Sequence, residues 1–197
     1  MPARNWRQDW KVVDTLVASG AKKMTATLDA AAVADATGGK VTITSTAHGF
    51  LSPSNLYITG TTNYSGNRTV TAVATDTITC YGAYVAETPA GSETISVILA
   101  PGVSFEIFEI RMHVSAAPTT SEYFTITLDN NSGAYWDTVL YKHDFAATST
   151  TDLVWSPDRD HTFDPGDKIV FAWDNTDTKT WGLEAKFRRI HHLGIGG

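Results

Sequence analysis

Six histidines, two Asp/Asn-rich loops and one acidic run are the residues of this chain with chemistry to offer. The histidines are His48, His113, His143, His161, His191 and His192. None forms an HExxH pair and none lies three or four residues from another, so no two stack on a helix face as zinc ligands. His191 and His192 point to opposite faces of an extended chain and read as a solvated tail. The loops Asp129-Asn130-Asn131 and Asp174-Asn175-Thr176-Asp177 carry oxygen ligands suited to calcium. Neither has the alternating spacing and closing Glu of an EF-hand, and turn chemistry accounts for both. Asp158, Asp160 and Asp164, beside Arg159, could serve as the paired carboxylates of a hydrolase, with loop charge as the ordinary account. No Gly-rich phosphate loop, serine elbow or Cys/His pair is visible. The expectation is a chain with no catalytic residue, no metal and no cofactor.

The aromatic residues carry a different signal. Trp6 and Trp10 sit among Arg4, Arg7 and Asp9, ahead of the first strand pattern. Trp and Arg are the usual anchors of protein interfaces. Trp6, Arg7 and Trp10 are therefore read as an arm that docks on a neighbouring subunit. Tyr135 and Trp136 follow a polar loop and could stack on a sugar ring, which makes them the glycan-binding candidates. Trp173 and Trp181 fit alternating core faces.

Composition bounds the class. A chain of 197 residues buries one good core, or one core and a small satellite. Charged residues are 18%, below the usual quarter, and hydrophobic residues 42%, as in folded proteins. The net charge of −6 argues against a nucleic-acid partner, which needs a basic face to neutralise phosphates. Cys80 is the one cysteine, so no intrachain disulfide forms. The start MPARNWRQDW lacks the apolar core of a secretory signal. No run approaches the eighteen or so apolar residues of a membrane span. A soluble protein made in a reducing cytoplasm is expected.

Strand patterns dominate the chain. Period-two alternation marks Lys22–Leu28, Val41–Thr46, Asn67–Val73, Glu122–Leu128, Lys168–Trp173 and Thr180–Ile190. Trp10–Ala18, Asn55–Thr59, Thr77–Tyr81, Asp137–His143 and Thr151–Trp155 add shorter or less regular strands. Val103–Val114 is long and nearly continuous, but Glu106 and Glu109 break its alternation, which predicts a bulge near Phe108. Asp29–Gly39 is Ala-rich without large apolar residues and reads as a linker or one short helix. Composition shifts there and again at Thr88–Gly91. Residues 1–29 then hold the arm and first strands, 30–93 an inserted small β-barrel or β-sheet module, 94–190 the rest of the larger unit, and 191–197 a tail. Short strands with polar turns every ten or so residues describe an all-β, jelly-roll-like β-sandwich carrying that module. The module is expected to be separable.

Within the module, Ala47-His48-Gly49, Ile58-Thr59-Gly60, Thr61-Thr62-Asn63-Tyr64-Ser65-Gly66 and Thr69-Val70-Thr71-Ala72-Val73 follow one another. This series resembles a small β-module of tailed-bacteriophage virion structural proteins, found on capsid-decoration and tail proteins. The resemblance implies a structural virion protein and brings no catalytic residue. Within that context, the length, the acidic balance, the lack of a site and the aromatic arm favour a capsid decoration (cement) protein on the particle exterior, made in the host bacterial cytoplasm. Its partners would be the major capsid protein or other virion subunits, with self-association, a trimer being one form. Two alternatives remain: a tail or head-fibre component binding host glycans, and a particle-associated hydrolase using Asp158–Asp164.

Overall fold

The computed structural model describes residues 10–130, 132–158 and 161–191. The architecture is all-β and antiparallel. The chain opens with β1 (Trp10–Gly20), β2 (Thr25–Thr27), β3 (Ala34–Asp35), β4 (Lys40–Thr44) and β5 (Asn55–Thr59). There follow β6 (Gly66–Val73), β7 (Thr77–Tyr81), β8 (Thr94–Ser96), β9 (Ile98–Leu99) and β10 (Phe105–Val114). It closes with β11 (Tyr123–Asp129), β12 (Thr138–Asp144), β13 (Asp152–Trp155), β14 (Thr162–Phe163), β15 (Lys168–Ala172) and β16 (Trp181–His191). One short helix, α1 (Phe145–Thr148), joins β12 to β13.

Three sheets result. A five-stranded sheet runs β1-β16-β10-β13, with β14 also on β10, and a four-stranded sheet runs β12-β11-β15-β9. These make a sandwich. With β14 set aside and the others numbered in chain order, the sheets read 1-8-3-6 and 5-4-7-2. The third sheet, β2-β8-β5-β6-β7-β4-β3, has seven strands and lies between β1 and β9 in sequence. Two of its strands, β2 and β8, fall outside residues 30–93.

Period-two alternation explains the sandwich core. Trp181, Leu183, Ala185 and Phe187 of β16 are all buried, as are Ile169 and Phe171 of β15 with Trp173 just beyond it. In β10 the buried apolar set is Phe105 and Ile107, then Ile110, Met112 and Val114, with Glu106 covered on the other face beneath Arg188. The change of parity is a bulge, since the register with β16 shifts between Ile107 and Glu109. Phe108, the extra residue, turns outward under the Arg188 guanidinium, 4.9 Å from its ring centroid. Without that bulge one half of β10 would bury its charged residues.

The sequence reading differs from the fold in three places. Asp29–Gly39 contains no helix; β3 pairs with β4 there, and Val33 is buried. Residues 94–99, where no strand pattern was marked, form β8 and β9. Helix α1 was too short for any periodicity to mark it. Asp144 caps it, accepting from the backbone N–H groups of Ala146 and Ala147.

Module and sandwich are joined through Val97. This fully buried residue separates β8 from β9, so the chain passes there from the seven-stranded sheet into the four-stranded one. Its N–H donates to the Met24 carbonyl at 3.1 Å, and its carbonyl accepts from Phe171 N–H at 3.2 Å. Nearby, the Trp181 indole donates to the Lys22 carbonyl at 2.6 Å. Gly20 lies against that indole so closely that a Cβ would stand 2.6 Å from it. Buried residues of both units form a single hydrophobic cluster.

The sandwich has two unlike ends. The β9–β10, β11–β12 and β14–β15 connections share one end with the start of β1 and the end of β16. The opposite end carries the β10–β11 and β15–β16 connections and α1.

Candidate functional site

The residues of the resembling series are consumed by the module's own fold. His48 is buried; its Nδ1 accepts from Phe50 N–H at 3.0 Å, which leaves Nε2–H to donate to the Ala74 carbonyl at 2.8 Å. Gly49 has φ +79, and a Cβ there would stand 2.5 Å from the Lys22 side chain, so glycine is required twice over. The buried Tyr64 hydroxyl bonds both backbone groups of Val85. Arg68 donates to the carbonyls of Tyr64 and Asn63, and Glu87 accepts from the N–H groups of Thr62 and Asn63. Burial pushes the Cys80 thiol up, with Arg68 opposing weakly, so Cys80 is inert in the core.

The acidic loops act as struts. Asp129 pairs with Lys168 at 3.0 Å, and Asn130 accepts from Ser132 N–H as an Asx turn. Asn175 is buried and bonds the Lys179 backbone in both directions. Asp177 accepts from the backbone N–H groups and hydroxyls of Thr120 and Thr119, tying the β15–β16 connection to the β10–β11 connection. Those bonds, the Thr120 N–H first, hold its carboxyl well below the usual range. Asp144 is likewise lowered, first by the Ser121 hydroxyl and then by its helix-cap bonds. Asp160 and Arg159 lie outside the described residues. Asp164 begins the turn into β15, its N–H donating to the Asp167 carboxylate. Among the described residues, no group of three or more His, Cys, Asp or Glu could hold a metal ion.

Of the interface candidates, Trp6 and Arg7 lie outside the described residues. Trp10 opens β1, opposite His191, so the arm ends one residue earlier than the tryptophan pattern suggested. Tyr135 and Trp136 occupy a 3-10 turn entered through Gly133, whose φ of 107 suits only glycine. Tyr135 is 101% exposed and Trp136 65%. They stand at the sandwich end from which β1 starts.

A second feature escaped the sequence reading. The outer face of the five-stranded sheet carries a lattice of opposite charges. Arg188 pairs with Glu106, Arg111 with Glu109 at 2.5 Å, and Lys186 with both Glu109 and Glu184 at 3.8–3.9 Å. Where the lattice ends, Gly182 stands in register between Ser19 and His113, and His113 opposite Asp152. The missing side chain opens a groove of about 490 Å³ that includes Val17, Ser52, Asp152, Val154 and Glu184. His113 Nδ1 lies 2.7 Å from Asp152, a bond that lowers the Asp152 carboxyl. The signal was Gly182 itself, the gap in the outward series Glu184, Lys186, Arg188. Among protein-family models, curated proteins and solved structures, none matches this chain.

Proposed function

We propose that this chain is a structural, non-enzymatic virion protein of a tailed phage, a capsid decoration (cement) protein on the particle exterior. One observation carries the reading: the exposed Tyr135–Trp136 turn shares its sandwich end with the start of β1, the strand that the arm bearing Trp6 and Arg7 leads into. Two aromatic rings in water and an adjoining aromatic, basic arm are what an adhesive end requires, because buried aromatics dominate interface energy. Many copies, each binding modestly, then hold neighbouring capsid subunits together by multivalency. The 1-8-3-6 and 5-4-7-2 strand orders are those of two interlocked Greek keys, which supports the jelly-roll description. The module, joined to the β1 side of the sandwich, is the outward-facing part in this reading.

The experiment is re-addition of purified protein to particles that lack it, with occupancy measured by sedimentation. Protein lacking residues 1–9, and protein with Tyr135 and Trp136 replaced by alanine, should both lose occupancy. Undiminished occupancy of both variants would sink the reading. A second reading, host-glycan binding by a fibre component, is favoured by the full exposure of Tyr135, a ready stacking platform. Competition of particle binding by host polysaccharide separates the two.

A further inference from the structure

We propose that the groove over Gly182 receives the Trp6-bearing segment, residues 1–9, of a second copy of this chain. This rests on the reading of that segment as an assembly contact and names what it contacts. The floor of the groove is backbone, because a Cβ on Gly182 would meet nothing within 4 Å. Val17 and Val154, both well exposed, supply apolar walls on the two outer strands. Ser52, from the module, closes one side. This is a slot for a flat apolar ring.

Charge favours the same occupant. The groove edge presents the Asp152 and Glu184 carboxylates against one full cation, Arg111, which is already paired at 2.5 Å with Glu109, and His113, which is bonded to Asp152. Asp152 uses its Oδ1 on His113 and its Oδ2 on the Thr151 hydroxyl, yet each carboxylate oxygen accepts more than one bond. Glu184 meets Arg111 and Lys186 only at 3.7 and 3.8 Å. The segment carries Arg4 and Arg7 against Asp9, so it brings positive charge to that edge.

Reach assigns the segment to a neighbour. Trp6 precedes Trp10 by four residues, a span of at most about 14 Å. The groove lies at the level of Val17–Ser19, about 23–30 Å along β1 from Trp10. A chain's own Trp6 therefore falls short of its own groove, whereas a second copy's does not have that limit. Such a contact is head-to-tail, and closes into a ring when the rotation between copies allows.

The test is self-association of the full chain, measured by size exclusion with light scattering. Wild type should be oligomeric. Gly182→Leu fills the slot at a position with free space, and Trp6→Ala removes the ring; each should weaken association by about tenfold or more, as hot-spot residues do. Circular dichroism should show both variants folded. Mixed together, they should form a heterodimer and nothing larger, since only one intact segment and one intact groove remain. A monomeric wild type, or an oligomer untouched by Gly182→Leu, overturns the inference. Loss of particle binding in Gly182→Leu with a monomeric wild type also overturns it, by giving the groove to another particle subunit. If oligomers dissociate in both variants while particle binding by protein lacking residues 1–9 is unchanged, this inference stands and the particle-docking role of the segment fails.

Discussion

The Tyr64 hydroxyl accepts from the Val85 N–H at 2.8 Å and donates to the Val85 carbonyl at 2.6 Å. One side chain thus does for an unpaired segment what a neighbouring strand would do. The ring is buried, while Val85 is 46% exposed, so the bond pair fixes a surface segment onto the core rather than satisfying groups cut off from water. Tyr64→Phe keeps the packing and removes both bonds. The expected loss is about 0.5–1.5 kcal/mol, the net contribution of a hydrogen bond whose partners water can reach. Urea unfolding, compared at constant m-value, checks this; a loss within experimental error would show that Val85 finds other partners.

Much of the fold was legible because burial imposes a period. Leu183, Ala185 and Phe187 announce a half-buried strand, and Glu106 with Glu109 announce the bulge beside Phe108. The Ala-His-Gly and Thr-Thr-Asn-Tyr residues could be read as a structural series, and each takes part in a hydrogen bond within the fold, to backbone, to the Ser65 hydroxyl or to the carboxylates of Asp76 and Glu87. What escaped has a physical reason too. Thr94–Leu99 changes sheets at Val97, so its burial follows no single period. The groove over Gly182 is made of residues from four strands and the module, and only cross-strand register brings Ser19, His113 and Asp152 into one row. Exposure of Tyr135 depends on how far its turn projects, which composition does not encode.

Composition breaks at Asp29–Gly39 and Thr88–Gly91 led to the expectation that residues 30–93 can be removed. The packing argues otherwise. Met24, Leu28, Ile95 and Val97 are buried in the cluster that also holds Phe171 and Trp181. Replacing 30–93 by a short Gly-Ser link strips the module side of that cluster. Loop closure itself costs little, so lost burial decides the outcome. The product should bind a hydrophobic dye and unfold without a cooperative transition. A sharp two-state transition would establish the sandwich as autonomous.

Acid should weaken the end of the sandwich opposite Tyr135. Asp177 and Asp144 both titrate lower folded than unfolded, where an aspartate sits at about 3.9. Their contribution is complete above that value and is lost as pH falls through the lower folded values. His143, pushed down by burial, acts with the same sign, since its neutral form is the folded one and protonation begins to count below about pH 6.5. Asp177→Asn should lower the melting temperature at pH 7 and flatten its decline between about pH 5 and 3. A variant curve running parallel to wild type through that window would exclude Asp177 as an acid-sensitive tie.

Tyr135 and Trp136 offer the cleanest separation of stability from adhesion. The Ala134–Trp136 turn is held by backbone, with Trp136 N–H donating to the Gly133 carbonyl at 2.9 Å, and Tyr135 touches water on all sides. Replacing both rings by alanine removes no core contact, so unfolding free energy should stay within about 0.5 kcal/mol of wild type. Binding should respond differently. An aromatic anchor that becomes buried on docking commonly accounts for 2 kcal/mol or more, roughly thirtyfold in affinity per site. Across many copies that loss should appear as a collapse of occupancy on particles in sedimentation. Full occupancy with an unchanged melting temperature would mean that the rings are bystanders and that the adhesive surface lies elsewhere.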